Sequence, residues 1–139
     1  MKNQNQTSPY PEKLPEEIEV IGKCIVNAAF KIHNSLGPGL LEKVYESCLE
    51  YELRKVGLEV KRQIYVPICY DNLIFDEGLR LDLLVGDKVI VEIKAQEKVN
   101  ELWKAQVISH LKLTGLSLGY LINFHSSLMK YGIKRIRNG

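Results

Sequence analysis

The chain has 139 residues, of which 45% are hydrophobic and 26% are charged, and its formal net charge is +2. This composition predicts a folded chain of one domain and argues against a disordered one, and so small a net charge does not by itself indicate a polyanionic partner. Three cysteines without a CxxC pair argue against a zinc ribbon or a disulfide framework, and no apolar stretch is long enough for a membrane span or a signal peptide, so we expect a cytoplasmic protein.

The first half of the chain is predicted to begin with a leader and two helices. Residues 1–13 are polar with two prolines and predict a disordered leader, which leaves residues 14–139 as a single domain. From Pro15, apolar residues at three- and four-residue steps predict a helix that ends at Gly37. A second helix is predicted from about Leu40 to Gly57.

A period of two follows and predicts strands. Alternate residues from Leu58 through Ile68 are predicted to share one face of a strand, with a turn at residues 71–72. The next strands are predicted at residues 79–85 and 89–95, joined by a three-residue loop. That loop sets an apolar face with the pairs Leu81 and Ile93, Leu83 and Val91, and Val85 and Val89. It sets on the other face the pairs Arg80 and Lys94, Asp82 and Glu92, and Leu84 and Ile90.

The last third predicts a helix and two strands. Asn100 can cap a helix through Thr114, with Gly115 as its stop. In this helix Leu102, Ala105, Ile108 or Ser109, and Lys112 lie at helical spacing, and Trp103, Gln106 and His110 share another face. Residues 117–124 predict a strand buried on both sides, and residues 131–136 a final strand. A helix between the third and fourth strands implies that these strands are parallel, so the fold class is α/β with a short mixed sheet flanked by helices.

The predicted pairing brings charged groups together. The Cβ atoms of Asp82 and Glu92 should lie roughly 5 Å apart. Two carboxylates so close repel each other, and a divalent cation between them relieves the repulsion; hard oxygen ligands suit Mg²⁺ or Mn²⁺. Lys94 projects from the same face because strand side chains have a period of two. A cross-strand ion pair on a solvated sheet face is the alternative.

Two motifs resemble a known superfamily. RLDLLV and VEIKA resemble the signature of the PD-(D/E)XK nucleases, with Asp82 as the first acidic ligand and Glu92-Ile93-Lys94 as the (D/E)XK element. Leu81 stands where the signature has proline. More closely, LGPGLLEKVYESCL resembles the GxxExxY proteins, with Gly39, Glu42 and Tyr45 in the naming positions. The similarity spans about residues 15–137.

The resemblance implies a fold and a site. The implied fold is a restriction-endonuclease-like αβββαβ core in which Glu42 joins Asp82 and Glu92 around the metal, with the carbonyl of Ile93 as a further ligand. Gln106 resembles the glutamine of the related QxxxY pattern, and His110 stands at its tyrosine position. The accessory candidates have structural alternatives, which are a core aromatic for Tyr45 and a residue that complements the helix dipole for His33.

The resulting hypothesis is an Mg²⁺- or Mn²⁺-dependent phosphodiesterase that cleaves nucleic acid by metal-activated water that Lys94 positions. DNA is our leading hypothesis for the substrate, although the sequence does not separate DNA from RNA. The alternative is a catalytically inactive module of nuclease fold that binds nucleic acid or a protein partner. A homodimer is a further expectation, with an apolar strand edge or residues 131–136 at the interface.

Overall fold

The computed structural model describes residues 13–138. The predicted leader therefore lies, apart from Lys13, outside the described residues, and the division into leader and single domain stays a prediction. Within residues 13–138 no helix combines the length and the apolar character needed to cross a bilayer. The elements, in chain order, are α1 (Glu16–Leu36), α2 (Glu42–Lys55), β1 (Val60–Tyr70), β2 (Leu73–Val85), β3 (Val89–Lys94), α3 (Leu102–Thr114), β4 (Leu118–Asn123), α4 (Met129–Gly132) and β5 (Ile133–Arg137).

The strands form one mixed sheet in the order β1-β2-β3-β4-β5. Strands β3 and β4 are parallel and are connected through α3, whereas the other neighbours are antiparallel. Helices α1 and α2 pack on one face of the sheet and share one apolar cluster, and α3 packs over a second cluster on the other face. The predicted α/β class, with a restriction-endonuclease-like mixed sheet flanked by helices, is confirmed.

The predicted helix ends are confirmed in their main features. Gly37 ends α1 with φ of 67°, and Gly115 ends α3 in the left-handed conformation, donating its N–H to the carbonyl of Leu111. The N-cap position of α3 is Glu101, one residue after the predicted Asn100, but Asn100 Oδ1 accepts the N–H of Leu102 at 2.9 Å and so satisfies a free donor at the start of the helix. The last strand begins at Ile133 instead of residue 131, since residues 129–132 form a helical turn.

The buried face of α3 differs from the spacing read from the sequence. Trp103, Val107 and Leu111 are its buried residues, whereas Leu102 is 65% exposed. The three buried residues recur every fourth position and pack with Ile90 and Leu121. They offer a larger apolar surface than the row from Leu102 to Lys112, which includes an alanine and a lysine.

The alternation of side chains between the two faces of the sheet breaks at Gln63 in β1, and a similar break occurs in β2. Val60 packs with α1 and α2, but Ile64 packs on the opposite face of the sheet, so the prediction that Leu58 through Ile68 share one face is wrong. Gln63 has φ of 51°, a left-handed conformation that rotates the strand between these residues. Leu81, paired with Ile64, likewise packs on the α3 face and not with Leu83 and Val85 as predicted.

Beyond this break, β1 and β2 continue as a two-stranded ribbon that we call the hairpin arm, residues 65–79. β2 begins at Leu73, six residues before its predicted start. Apart from the partly buried Val66, Ile68 and Leu79, the residues of the arm are exposed. The predicted turn at residues 71–72 forms its tip.

Candidate active site

The site begins where β2 and β3 part. Their register runs from the pair Val85–Val89 to the pair Leu83–Val91, which confirms the predicted three-residue loop. At the next position a side chain replaces the backbone as hydrogen-bond acceptor, since Asp82 Oδ2 accepts the backbone N–H of Ile93 at 2.9 Å. The carboxylate is thereby fixed in the gap between the two strands.

Glu92, which follows in that register, lies beside Asp82 and is 8% exposed. Burial raises the pKa of the Glu92 carboxyl to about 8, and the neighbouring Asp82 carboxyl adds to the effect, against the opposing charge of Lys94. Among the described residues, Glu92 Oε2 has no hydrogen-bond partner. The pair therefore holds a proton near neutral pH unless a cation replaces it.

Lys94 is held between a carboxylate and an aromatic ring. Its Nζ lies 3.7 Å from Glu92 Oε1 and 5.5 Å from the centre of the Trp103 ring. The Lys94 side chain is only 16% exposed, so the ammonium group is largely desolvated beside these partners. This places Lys94 with Asp82 and Glu92, as predicted.

Glu42 is the first residue of α2 and is half-buried. Its carboxyl pKa is raised by burial first and then by the negative charge of Asp82, while Lys94 opposes the shift. The N-terminus of α2 thus brings a third carboxyl within electrostatic reach of Asp82, in a position that also suits the positive end of the helix dipole.

The donor set can be tested against a divalent metal ion. Among residues 13–138, no group of three or more His, Cys, Asp or Glu side chains is arranged to hold a metal ion. The Asp82–Glu92 pair nevertheless offers hard oxygens, one of them the unpartnered Oε2 of Glu92. A buried carboxylate oxygen that has no partner and lies beside a second carboxyl needs a cation or a proton. Asp82 and Glu92 therefore fit Mg²⁺ or Mn²⁺ as two of its ligands, with other oxygens filling the rest of the coordination shell.

The two α3 candidates lie in different environments. His110 is half-buried, its Nδ1 has no hydrogen-bond partner within the described part of the chain, and the charges of Asp82 and Lys94 act on it. Burial, the largest cause, lowers its pKa, so the ring is neutral at neutral pH. Gln106 lies one turn earlier and is exposed.

The two remaining candidates make structural contacts. The Tyr45 hydroxyl donates to the carbonyl of Gly37 at 2.6 Å and accepts the N–H of Leu40 at 3.1 Å, and its ring stacks on Phe124 with centroids 4.5 Å apart. Tyr45 thereby ties the turn between α1 and α2 to the core. His33 Nε2 lies 2.7 Å from the carbonyl oxygen of Ser126, which joins the end of α1 to the segment after β4.

Sequence reasoning missed two residues that position the site. Helical spacing predicts that Trp103 shares a face of α3 with Gln106, but the Trp103 ring covers Lys94. Asn123, paired with Lys94 in the parallel register, binds the backbone of Gln96 through both its amide atoms, at 3.2 and 2.9 Å. An asparagine inside an otherwise apolar strand was the available signal, because a buried amide needs partners.

Comparison with known proteins agrees with the motif. The family model described as the PD-(D/E)XK nuclease superfamily matches residues 19–136, which is most of the chain. The chain belongs to the PD-(D/E)XK nuclease superfamily. No significant match was found among curated proteins or solved structures. In this superfamily member, the motif residues Asp82, Glu92 and Lys94 are those that the fold brings together, whereas the narrower GxxExxY assignment stays a prediction.

Proposed function

We propose that this member of the superfamily is an Mg²⁺- or Mn²⁺-dependent nuclease that hydrolyses phosphodiester bonds in DNA. Membership of the superfamily supports nuclease chemistry and a nucleic-acid substrate. The observation that carries the proposal is the buried carboxyl pair of Asp82 and Glu92, with one oxygen unpartnered and Lys94 within 3.7 Å. Such a pair is costly to bury, and a bound cation and a charged substrate offset that cost.

The proposed metal ligands are Asp82 and Glu92, with Glu42 at the N-terminus of α2 and the carbonyl of Ile93 completing the set. A divalent cation at this place supplies charge stabilisation for the phosphate and a lower pKa for water. The hydrogen bond from the Ile93 N–H fixes the Asp82 carboxylate in one orientation. Because the carboxylate already has this orientation, no ordering of the Asp82 side chain is needed when substrate binds.

Lys94 is proposed to position the attacking water and to stabilise negative charge that develops on the phosphate. Its ammonium group donates only, so a water or a phosphate oxygen within its reach accepts from it. Trp103 limits the freedom of the lysine by covering it on one side. Gln106 and His110, on the same helix, are proposed accessory groups that contact substrate, with His110 as a neutral imidazole.

The proposal is tested by cleavage of single-stranded, double-stranded and branched DNA with Mg²⁺ or Mn²⁺. We expect cleavage by the native protein, and none by Lys94→Ala, which circular dichroism should show to be folded. Lys61→Ala is the matched control, because this lysine is exposed and pairs with Asp87 at 2.7 Å. Absence of cleavage on every DNA substrate with either ion would overturn the proposed activity.

A second candidate, an inactive module that binds nucleic acid or a protein, is favoured by one observation. Within residues 13–138, no group of three or more potential metal-binding side chains is arranged to hold an ion. Calorimetry separates the two candidates. A nuclease binds Mn²⁺ and loses that binding in Asp82→Asn and Glu92→Gln, whereas the module binds its partner equally well with either substitution.

A further inference from the structure

The hairpin arm exposes five large apolar side chains to solvent. Tyr70 is 73% exposed and Ile74 is 69% exposed, and Leu73, Phe75 and Tyr65 are each more than half exposed. A two-stranded ribbon without a covering layer is marginally stable. Large apolar patches on such an element indicate an interaction surface.

The charge of the arm excludes a polyanion as the favoured occupant. Residues 65–79 contain Asp71, Asp76 and Glu77 and no lysine, arginine or histidine. Surfaces that follow a phosphate backbone are basic, because binding releases counterions from the phosphates. The arm is therefore suited to a protein surface that is apolar and carries positive charge.

Such a surface is present on the chain itself. The segment from residue 128 to residue 134, which leads into β5, exposes Leu128 at 53% and Tyr131 at 70%, together with Lys130 and Lys134. We call these four residues the cationic patch. Strands β1 and β5 are opposite edges of the sheet, so the arm and the patch of one chain are separated by the sheet, and the complementary surfaces meet between two chains.

The available area matches a dimer. The five large side chains of the arm together expose the equivalent of about three complete residues, on the order of 600 Å², and because consecutive strand residues point to opposite faces a partner reaches all of this area only by enclosing the ribbon. A stable interface buries about 800 Å² per partner. Exposed polar residues at the tip, such as Asp71 and Asn72, and the cationic patch of the same protomer supply the remainder.

We propose that the hairpin arm of one chain docks on the cationic patch of a second copy, and that the reciprocal contact closes a two-fold dimer. An arm-to-patch contact joins two different surfaces, so it closes into a dimer only where the second copy faces both the arm and the patch of the first, and assemblies larger than a dimer would overturn this arrangement. An arm-to-arm contact is disfavoured, since it juxtaposes acidic residues of the two copies. None of these residues belongs to the proposed nuclease site, and the dimer stands or falls independently of catalysis.

Charge reversal on each surface provides the test, with mass measured by sedimentation over a wide range of concentrations. One variant carries Asp76→Lys and Glu77→Lys on the arm, and another carries Lys130→Glu and Lys134→Glu on the patch. We expect a native dimer that weakens with added salt, monomers for each variant alone, and a dimer when the two variants are mixed. Loss of folding cannot produce that rescue, because each variant supplies the surface that complements the other.

Truncation of the apolar contact gives a second measurement. The double substitution Ile74→Ser and Phe75→Ser should weaken the dimer by about tenfold or more, since buried apolar anchors dominate interfaces. Val20→Ser with Val56→Ser is the matched control, because both valines are exposed to a similar extent elsewhere. A monomeric native protein at every concentration, a mixture that stays monomeric, or a monomer that binds DNA through Tyr70 and Phe75 would overturn the proposal.

Discussion

The Asp82 carboxylate accepts the backbone N–H of Ile93 at 2.9 Å, at the point where β2 and β3 stop pairing through their backbones. This contact joins the first acidic residue of the motif to the middle residue of its second element. It also places the carboxylate beside Glu92 without leaving the Ile93 N–H unsatisfied. The geometry of the site therefore depends on Asp82, which accepts a backbone hydrogen bond of the sheet and is also a proposed ligand of the metal ion.

Substitution of Asp82 separates these two roles. Asp82→Asn and Asp82→Ala both remove the charge, but only asparagine can still accept the Ile93 N–H. We expect the alanine variant to be less stable than the asparagine variant by about 1–3 kcal/mol in urea unfolding, because a buried donor loses its partner. Equal stability of the two variants would show that the hydrogen bond contributes nothing to the fold.

The carboxyl of Glu92 makes the stability of the metal-free protein depend on pH. Its folded-state pKa of about 8 lies above its ordinary value of 4.5, so the folded chain binds the proton more tightly than the unfolded chain does. The stabilisation is complete below pH 4.5 and is lost as the pH rises to about 8, by an amount on the order of a few kcal/mol.

Unfolding measured in urea across this range checks the prediction. Glu92→Gln should flatten the decline and should be more stable than the native protein at pH 8 without metal. Glu59→Gln, at an exposed glutamate, is the control and should leave the pH profile unchanged. A native profile that does not fall toward pH 8 contradicts the assignment of the raised pKa to Glu92.

Trp103 should restrict Lys94 through its ring face. Trp103→Phe retains an aromatic ring near the ammonium group, whereas Trp103→Leu removes the cation–π contact. Both variants should be destabilised by about 1–3 kcal/mol through poorer packing, but cleavage should fall further for leucine than for phenylalanine. Cleavage rates measured on variants of comparable stability decide the point, and equal rates would leave the tryptophan a packing residue only.

Much of the fold follows from local sequence patterns, and the predicted register shows why. The alternation of apolar and charged residues in β2 and β3 favours one pairing of these strands, and that pairing is observed from Val85–Val89 to Leu83–Val91. The parallel pairing of β3 with β4 likewise follows from the helix between them. These features depend on periodicity, which a single sequence displays.

The features that the sequence did not predict depend on particular backbone angles and tertiary contacts. The left-handed conformation of Gln63 turns Ile64 to the α3 face, where its partner Leu81 also packs, and no glycine marks the position of Gln63. Its side chain donates to Glu46 at 2.8 Å, a contact with a buried glutamate seventeen residues earlier. The exposed hairpin arm was missed for a related reason, since Leu73, Ile74 and Phe75 have no alternation that predicts a ribbon in solvent.

The strain at Gln63 can be measured. Gln63→Gly and Gln63→Ala both lose the bond to Glu46, but glycine adopts positive φ without the steric cost that a Cβ imposes. We expect the glycine variant to be more stable than the alanine variant by about 1–2 kcal/mol in urea unfolding. An alanine variant at least as stable as the glycine variant would mean that this backbone conformation is not maintained in solution.

The central claim is that Asp82 and Glu92 together bind a divalent cation, and Mn²⁺ located by anomalous diffraction in crystals grown at about neutral pH tests it most directly. The predicted result is a single peak within ligand distance of Asp82 and of the unpartnered Oε2 of Glu92, with Glu42 and the carbonyl of Ile93 turned toward it. A density map without a peak at this pair, in crystals soaked with excess Mn²⁺, would contradict the account.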